Sequence, residues 1–165
     1  MVRCTINIGL VPKPWLDWEQ TRYVKPLNPK TVSESMGVWH DRLTTSLVHE
    51  DQYRSYFDWW HVWDRRSAMV AAEDMVEQLR VVGFPTLDRL LDREQLKLEL
   101  RQVDSSEFAQ SVADLHLAVV LADEGAGDDL GEVIRRIRAT DQGPRSEMVS
   151  KLLEWVGFRS ASASP

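Results

Sequence analysis

A tryptophan-rich run at residues 57–63 constrains the fold of this chain more than any other segment. It reads FDWWHVW and holds three of the chain's seven tryptophans. Aromatic and β-branched residues fit a pleated, half-buried surface, and the run is short for a helix. Side chains alternate along a strand, and each large aromatic residue buries about 150–250 Å². We therefore predict a strand with both faces covered, by helices on one face and by long loop segments on the other.

Two other segments also read as strands. Residues 3–10 alternate between an apolar face and a face of small or polar residues, which is the pattern of a half-buried strand. Residues 36–45 place Trp39 and Leu43 on one face, with Asp41 breaking the apolar pattern between them. The sequence therefore predicts a sheet of about three strands.

Residues 15–35 read as a long loop. Trp15 and Trp18 lie among prolines and charged residues, and Pro26 and Pro29 are turn formers. Loops of this length are uncommon and often bind something, while tryptophans are costly to leave in water. We expect this loop to pack its tryptophans onto the sheet, and an exposed Trp15 or Trp18 to serve as an anchor for a partner.

The chain after residue 64 has the spacing of amphipathic helices, and in the first of them the predicted buried face holds Met69, Ala72, Met75, Val76 and Leu79. The predicted helices are one capped by Asp64 or Ser67 and closed by Gly83, a short one capped by Thr86, one beginning at Asp92 or Arg93, one behind a capping box at 104–107, one over 130–138, and one over 146–156 that ends at Gly157.

Strands come first and helices follow, which is typical of an α+β domain. We predict a small antiparallel sheet of about three strands, helices packed on one face of it, and an all-helical C-terminal half. The length of 165 residues predicts one domain. We assign it to residues 1–158, with a flexible tail over residues 159–165.

The net charge of −6 is unevenly distributed, because residues 1–66 carry +1 and residues 67–165 carry −7. An acidic domain without a basic stripe repels phosphate backbones, which disfavours nucleic-acid binding. Acidic surfaces attract basic proteins and raise their encounter rates. Simple solubility is the plainer interpretation of the same charge.

The single cysteine, Cys4, cannot form an intramolecular disulfide bond, which suits a reducing compartment. The first residues show no signal-peptide pattern, and no apolar run approaches the roughly 20 residues of a membrane span. We therefore expect a cytoplasmic protein that does not enter the membrane.

Motifs for metals, cofactors and covalent catalysis are not apparent. The histidines lie far apart and form no paired ligand motif, so we expect no metal site. The sequence Gly125-Ala126-Gly127 is followed by two aspartates that would repel a phosphate at a helix N-terminus, so we expect an inter-helix turn and no cofactor.

One constellation deserves a functional hypothesis. Asp41 and His61 come from successive predicted strands, and side-by-side pairing would gather them near Trp59 and Trp60. Tryptophan walls with a carboxylate and an imidazole are common in ligand pockets, so Asp41 and His61 are candidate acid–base residues. The alternative is a structural pair of residues, with His61 bonded to backbone at the core edge and Asp41 paired with an arginine.

Three short motifs resemble a known family. The landmarks of the domain of unknown function 4304 family are similar to three segments of this chain. These segments are residues 5–9 (TINIG), residues 39–43 with Arg42-Leu43, and Trp59-Trp60 followed by a helix to Gly83-Phe84-Pro85. The resemblance covers roughly residues 4–100. In that family a helix and a strand precede the first landmark, whereas this chain begins almost on it. The resemblance implies a fold and no catalytic residues, because the family has no agreed activity.

These patterns leave three classes of function open. The first is a protein-binding domain, of an accessory or immunity-like kind, that uses its acidic helical surface and takes a basic partner. The second is an enzyme or small-ligand-binding protein that uses a tryptophan-lined sheet face with Asp41 and His61. The third is a homo-oligomer joined through an exposed sheet edge. The candidate binding residues are Trp15, Trp18, Arg42 and Trp60.

Overall fold

The protein is an α+β domain in which two small antiparallel sheets precede a helical C-terminal half. The computed structural model describes residues 1–23, 25–28, 32, 36–46, 59–103, 107–140 and 146–163. Its elements are β1 (Val2–Cys4), β2 (Ile6–Leu10), α1 (Lys13–Gln20), β3 (Trp39–Leu43), β4 (Trp60–Val62), α2 (Arg65–Gln78), a π turn (Leu79–Gly83), α3 (Phe84–Leu91), α4 (Arg93–Arg101), α5 (Glu107–Ala122), α6 (Asp128–Thr140) and α7 (Ser146–Ala163).

The strands form two separate pairs. β1 pairs with β4, so that Cys4 lies opposite Trp60. β2 pairs with β3, so that Ile6 lies opposite Leu43 and Leu10 opposite Trp39. The predicted α+β class is confirmed, but the predicted strand over residues 3–10 is divided at Thr5 between two sheets. Alternation of side chains is the same on both sides of the division, so it cannot reveal a change of partner.

The tryptophan-rich run contributes β4. Phe57 and Asp58 lie outside the described residues, and the strand spans Trp60–Val62. Trp60 is fully buried, at 0% exposure, whereas Trp63 beyond the strand end is exposed. The prediction of a strand is therefore confirmed at its centre, and the prediction that both faces are covered along its length is wrong at Trp63.

The predicted loop over residues 15–35 is wrong at its start, because α1 occupies residues 13–20. Pro14 lies in the first turn of this helix, where a missing N–H costs nothing and the fixed φ suits the helix. Trp15 and Trp18 are three residues apart and pack into the helical core rather than onto a sheet. The prolines therefore mark a helix start and not a loop.

The segment from Arg65 to Leu91 is one helical rod, which we call the α2–α3 rod. Asp64 caps it, since its side chain accepts from the Ser67 amide and the Ser67 hydroxyl accepts from the Asp64 amide. The predicted helix end at Gly83 and the predicted cap at Thr86 are both wrong. Gly83 has the helical φ of −63°, and the chain continues through the π turn into α3.

The π turn changes the phase of the rod. On an uninterrupted α-helix, Gly83 would lie seven residues after Val76 and would share its outward face. Here the amide of Phe84 donates to the carbonyl of Leu79, five residues earlier, which adds about one residue to the turn. Phe84 therefore takes the outward position, and Gly83 turns inward. A β-carbon on Gly83 would lie 3.2 Å from Cδ1 of Leu43.

The C-terminal helices pack around α5. Every side chain from Leu117 to Ala122 is buried, and α5 contacts α1, α4, α6 and α7. The glycine-rich break that ends α5 is confirmed, since Gly125 adopts a φ of 102° that glycine tolerates best. No helix among the described residues has both the length and the apolar composition needed to cross a bilayer.

The predicted end of the last helix at Gly157 is wrong. α7 continues to Ala163, so the predicted tail of residues 159–165 begins inside a helix. Val156 and Ser160 are buried on either side of Gly157 and hold the helix against its neighbours. This packing outweighs the cost of about 1 kcal/mol of an exposed helical glycine.

The position of Gly83 gives a stability test. We expect Gly83→Val to lower the free energy of unfolding by about 1–3 kcal/mol, because the new side chain overpacks the contact with Leu43 and Leu79. Gly131 is the matched control, since a β-carbon there meets nothing within 4 Å. Gly131→Val should change the stability by less than about 0.5 kcal/mol in urea titrations. Equal effects of the two substitutions would contradict the inward placement of Gly83.

Candidate functional site

The two candidate acid–base residues lie on strands of different sheets. Asp41 on β3 is opposite Ile8 on β2, and His61 on β4 is opposite Arg3 on β1. The side-by-side pairing on which the predicted site depends is therefore not the one that forms.

The contacts of these two side chains also differ. The Asp41 carboxylate is exposed and accepts from the backbone amide of Arg42 at 2.7 Å. The His61 ring packs edge-on against Trp63, with ring centroids 5.6 Å apart. These contacts give neither residue a geometry that indicates acid–base chemistry.

The predicted binding tryptophans are core residues. Trp15 and Trp18 are only 9% and 4% exposed, so the expectation of an exposed anchor on either is wrong. The indole N–H of Trp15 donates to the Met36 carbonyl at 2.9 Å. The Trp15 ring meets His116 edge-on, with centroids 4.4 Å apart. Both tryptophans therefore join α1 to the helical core.

Arg42 is the predicted binding residue that remains at the surface. Its guanidinium lies 5.0 Å from the ring centroid of Trp59, which is a cation–π distance. Its Nε lies 3.5 Å from Oδ1 of Asn7 on the paired strand. Arg42 therefore covers the half-buried Trp59, and these contacts are structural ones.

The buried Asp74 on α2 accepts four hydrogen bonds from β4 and from the segment that follows β3. Its Oδ2 accepts from the indole N–H of Trp60 at 2.7 Å, from the Thr45 hydroxyl at 2.8 Å and from the Ser46 amide at 3.0 Å. The Ser46 hydroxyl donates to Oδ1. The carboxylate therefore connects the rod to β4 and to the segment that follows β3.

Two opposing effects set the pKa of Asp74. Burial alone would raise it, but hydrogen bonds from Ser46, Thr45 and Trp60 stabilise the charged form and leave the pKa below its ordinary value. A depressed carboxyl pKa marks an ionised acceptor and not a general acid. The sequence pattern did not indicate this residue, because Asp74 lies off the face on which Met69, Met75 and Val76 recur.

Replacing the Asp74 carboxylate tests this connection. We expect Asp74→Asn to lower the free energy of unfolding by about 2–3 kcal/mol, because bonds to a charged group contribute about 1.5–3 kcal/mol and the new NH₂ cannot accept. Asp88→Asn, at an exposed site on the same rod, should change it by less than about 0.5 kcal/mol. Chemical denaturation at pH 7 measures both variants, and an unchanged midpoint for Asp74→Asn would refute the role of Asp74.

His116 on α5 is a mostly buried histidine beside Trp15. Burial is the main cause that lowers the pKa of His116 from 6.5 to about 4; a hydrogen bond to the Val38 backbone acts in the opposite direction, and the charge of His40 adds to the lowering. The ring is therefore neutral in the folded protein at pH 7. It links α5 to the chain just before β3.

The lowered pKa of His116 predicts a pH dependence of stability. The unfolded chain takes up a proton near pH 6.5, whereas the folded chain does so only near pH 4. Stability is therefore fully present above pH 6.5 and should fall by roughly 2–3 kcal/mol as the pH drops towards 4. His116→Gln should be less stable at pH 7 and should show little slope between pH 6.5 and 5, before carboxylates titrate. The same slope in both proteins would contradict the assignment to His116.

Many acidic side chains of the helical half form ion pairs within the chain. These pairs include Asp114 with Arg136 at 2.8 Å, Asp123 with Arg93 at 2.7 Å and with Arg159 at 2.6 Å, Glu124 with Lys97 at 2.9 Å, Asp129 with Arg101 at 2.8 Å, and Glu147 with Lys151 at 2.7 Å. The Glu147–Lys151 pair lies within α7, and the other pairs join α4, α6 and α7 to α5, to the turn that follows α5, or to one another. Ion pairs among the described residues involve nine of the eighteen carboxylates of residues 67–165, and the net charge of −7 remains.

A groove lies between α1 and α7. It has a volume of about 800 Å³, and Trp18 and Trp155 form its aromatic part, with ring centroids 6.1 Å apart. The polar side chains at its rim are Thr21, Arg22, Glu147, Lys151 and Glu154. The indole N–H of Trp18 has no hydrogen-bond partner among the described residues. Two cations and two carboxylates line the groove together, so its charge selects no class of ligand.

The exposed large apolar side chains of the described chain concentrate on and beside the α2–α3 rod. Residues 63–91 hold eight of them, against two in the described part of residues 92–163. Four share the outward face, and we call them the apolar stripe: Met69, Val76, Phe84 and Leu91. Their exposure is between 56% and 71%. Sequence periodicity missed the stripe, because it predicted Met69 and Val76 on the buried side.

No group of three or more histidine, cysteine or carboxylate side chains gathers as a metal site in the described segments. Comparison with known proteins finds no family model that matches the chain, and no curated protein or solved structure that is significantly similar to it. The resemblance to the domain of unknown function 4304 family stays a prediction. A function therefore has to be inferred from the surface of the molecule.

Proposed function

We propose that this protein is a protein-binding domain whose contact surface is the apolar stripe on the α2–α3 rod. The observation that carries the proposal is the concentration of exposed large apolar side chains on residues 63–91. Single exposed apolar residues are normal on a soluble protein, but a row of them along one helix is typical of an interaction site.

The geometry of the stripe supports a continuous contact. Met69 and Val76 are seven residues apart and therefore differ by about 20° around the helix axis. The same spacing separates Phe84 from Leu91. The π turn brings Phe84 onto this face, and π turns are frequent at functional sites. Burying each of these side chains contributes about 1.5–3 kcal/mol before the costs of association.

Charged residues beside the stripe would form its rim. Glu73 and Asp88 are exposed carboxylates of the rod, and Glu77 is paired with Arg80 at 2.7 Å. A rim of this kind would favour a partner with basic residues around an apolar centre. The net charge of −7 over residues 67–165 also supports a basic partner, because ion pairs within the chain leave this excess of carboxylates unchanged.

Two further parts of the proposal rest on composition. The single Cys4 supports a reducing compartment, so we place the interaction in the cytoplasm. The net charge of −6 supports a protein partner over nucleic acid.

Capture from a native host lysate tests the proposal. Tagged wild-type protein should retain a partner that Val76→Glu and Leu91→Glu lose, because each substitution places a charge on the stripe. The matched control is Phe158→Glu on α7, which alters an exposed apolar residue away from the rod and should retain the partner. Circular dichroism spectra and thermal midpoints confirm that all variants are folded.

The salt dependence of the capture separates the kinds of contact. An apolar contact should persist at about 1 M salt, where the Debye length is about 3 Å and charge attraction is screened. A partner that is retained by the stripe variants, or that dissociates at high salt, would refute the stripe as the centre of the contact.

A further inference from the structure

We draw no further inference here: the strongest candidate, the groove between α1 and α7 that Trp18 and Trp155 line, carries none, because its two cations and two carboxylates select no class of ligand and the indole N–H of Trp18 is buried from solvent.

Discussion

The carboxylate of Asp74 fixes the orientation of the α2–α3 rod, and that orientation decides which side chains of the rod are exposed. It accepts hydrogen bonds from Trp60 on β4 and from Thr45 and Ser46 after β3, so it fixes one face of the α2–α3 rod against the sheet region. An α-helix that is fixed on one face has its opposite face determined as well. The outward position of the apolar stripe therefore follows from a polar contact on the other side of the same helix.

The π turn extends this constraint along the rod. It turns Gly83 towards Leu43, where a β-carbon would lie 3.2 Å from Cδ1, and it brings Leu87 and Leu90 to the inner side of α3. The same added residue places Phe84 outward. One local irregularity thus serves both the packing of the small sheets and the row of apolar residues that we propose as the contact surface.

Sequence reasoning identified the fold class and most helices, because amphipathic spacing and capping residues such as Asp64 and Asp92 are local signals. It missed α1, since prolines at a helix start look the same as prolines in a loop. It missed the division of the first strand at Thr5, since alternation does not identify a partner. It assigned Met69 and Val76 to the core, because apolar residues are interpreted as buried until a partner for them is known. The candidate pair Asp41 and His61 depended on strand order, which no local pattern contains.

The division at Thr5 also affects how the chain is made. β1 and β2 leave the ribosome before their partners, because β2 must wait for residues 39–43 and β1 for residues 60–62. Both strands therefore stay unpaired while the intervening residues are synthesised, and unpaired strands are prone to aggregate. The short lengths of β1 and β4, three residues each, limit this exposure, because so short an edge offers few backbone groups to another nascent chain.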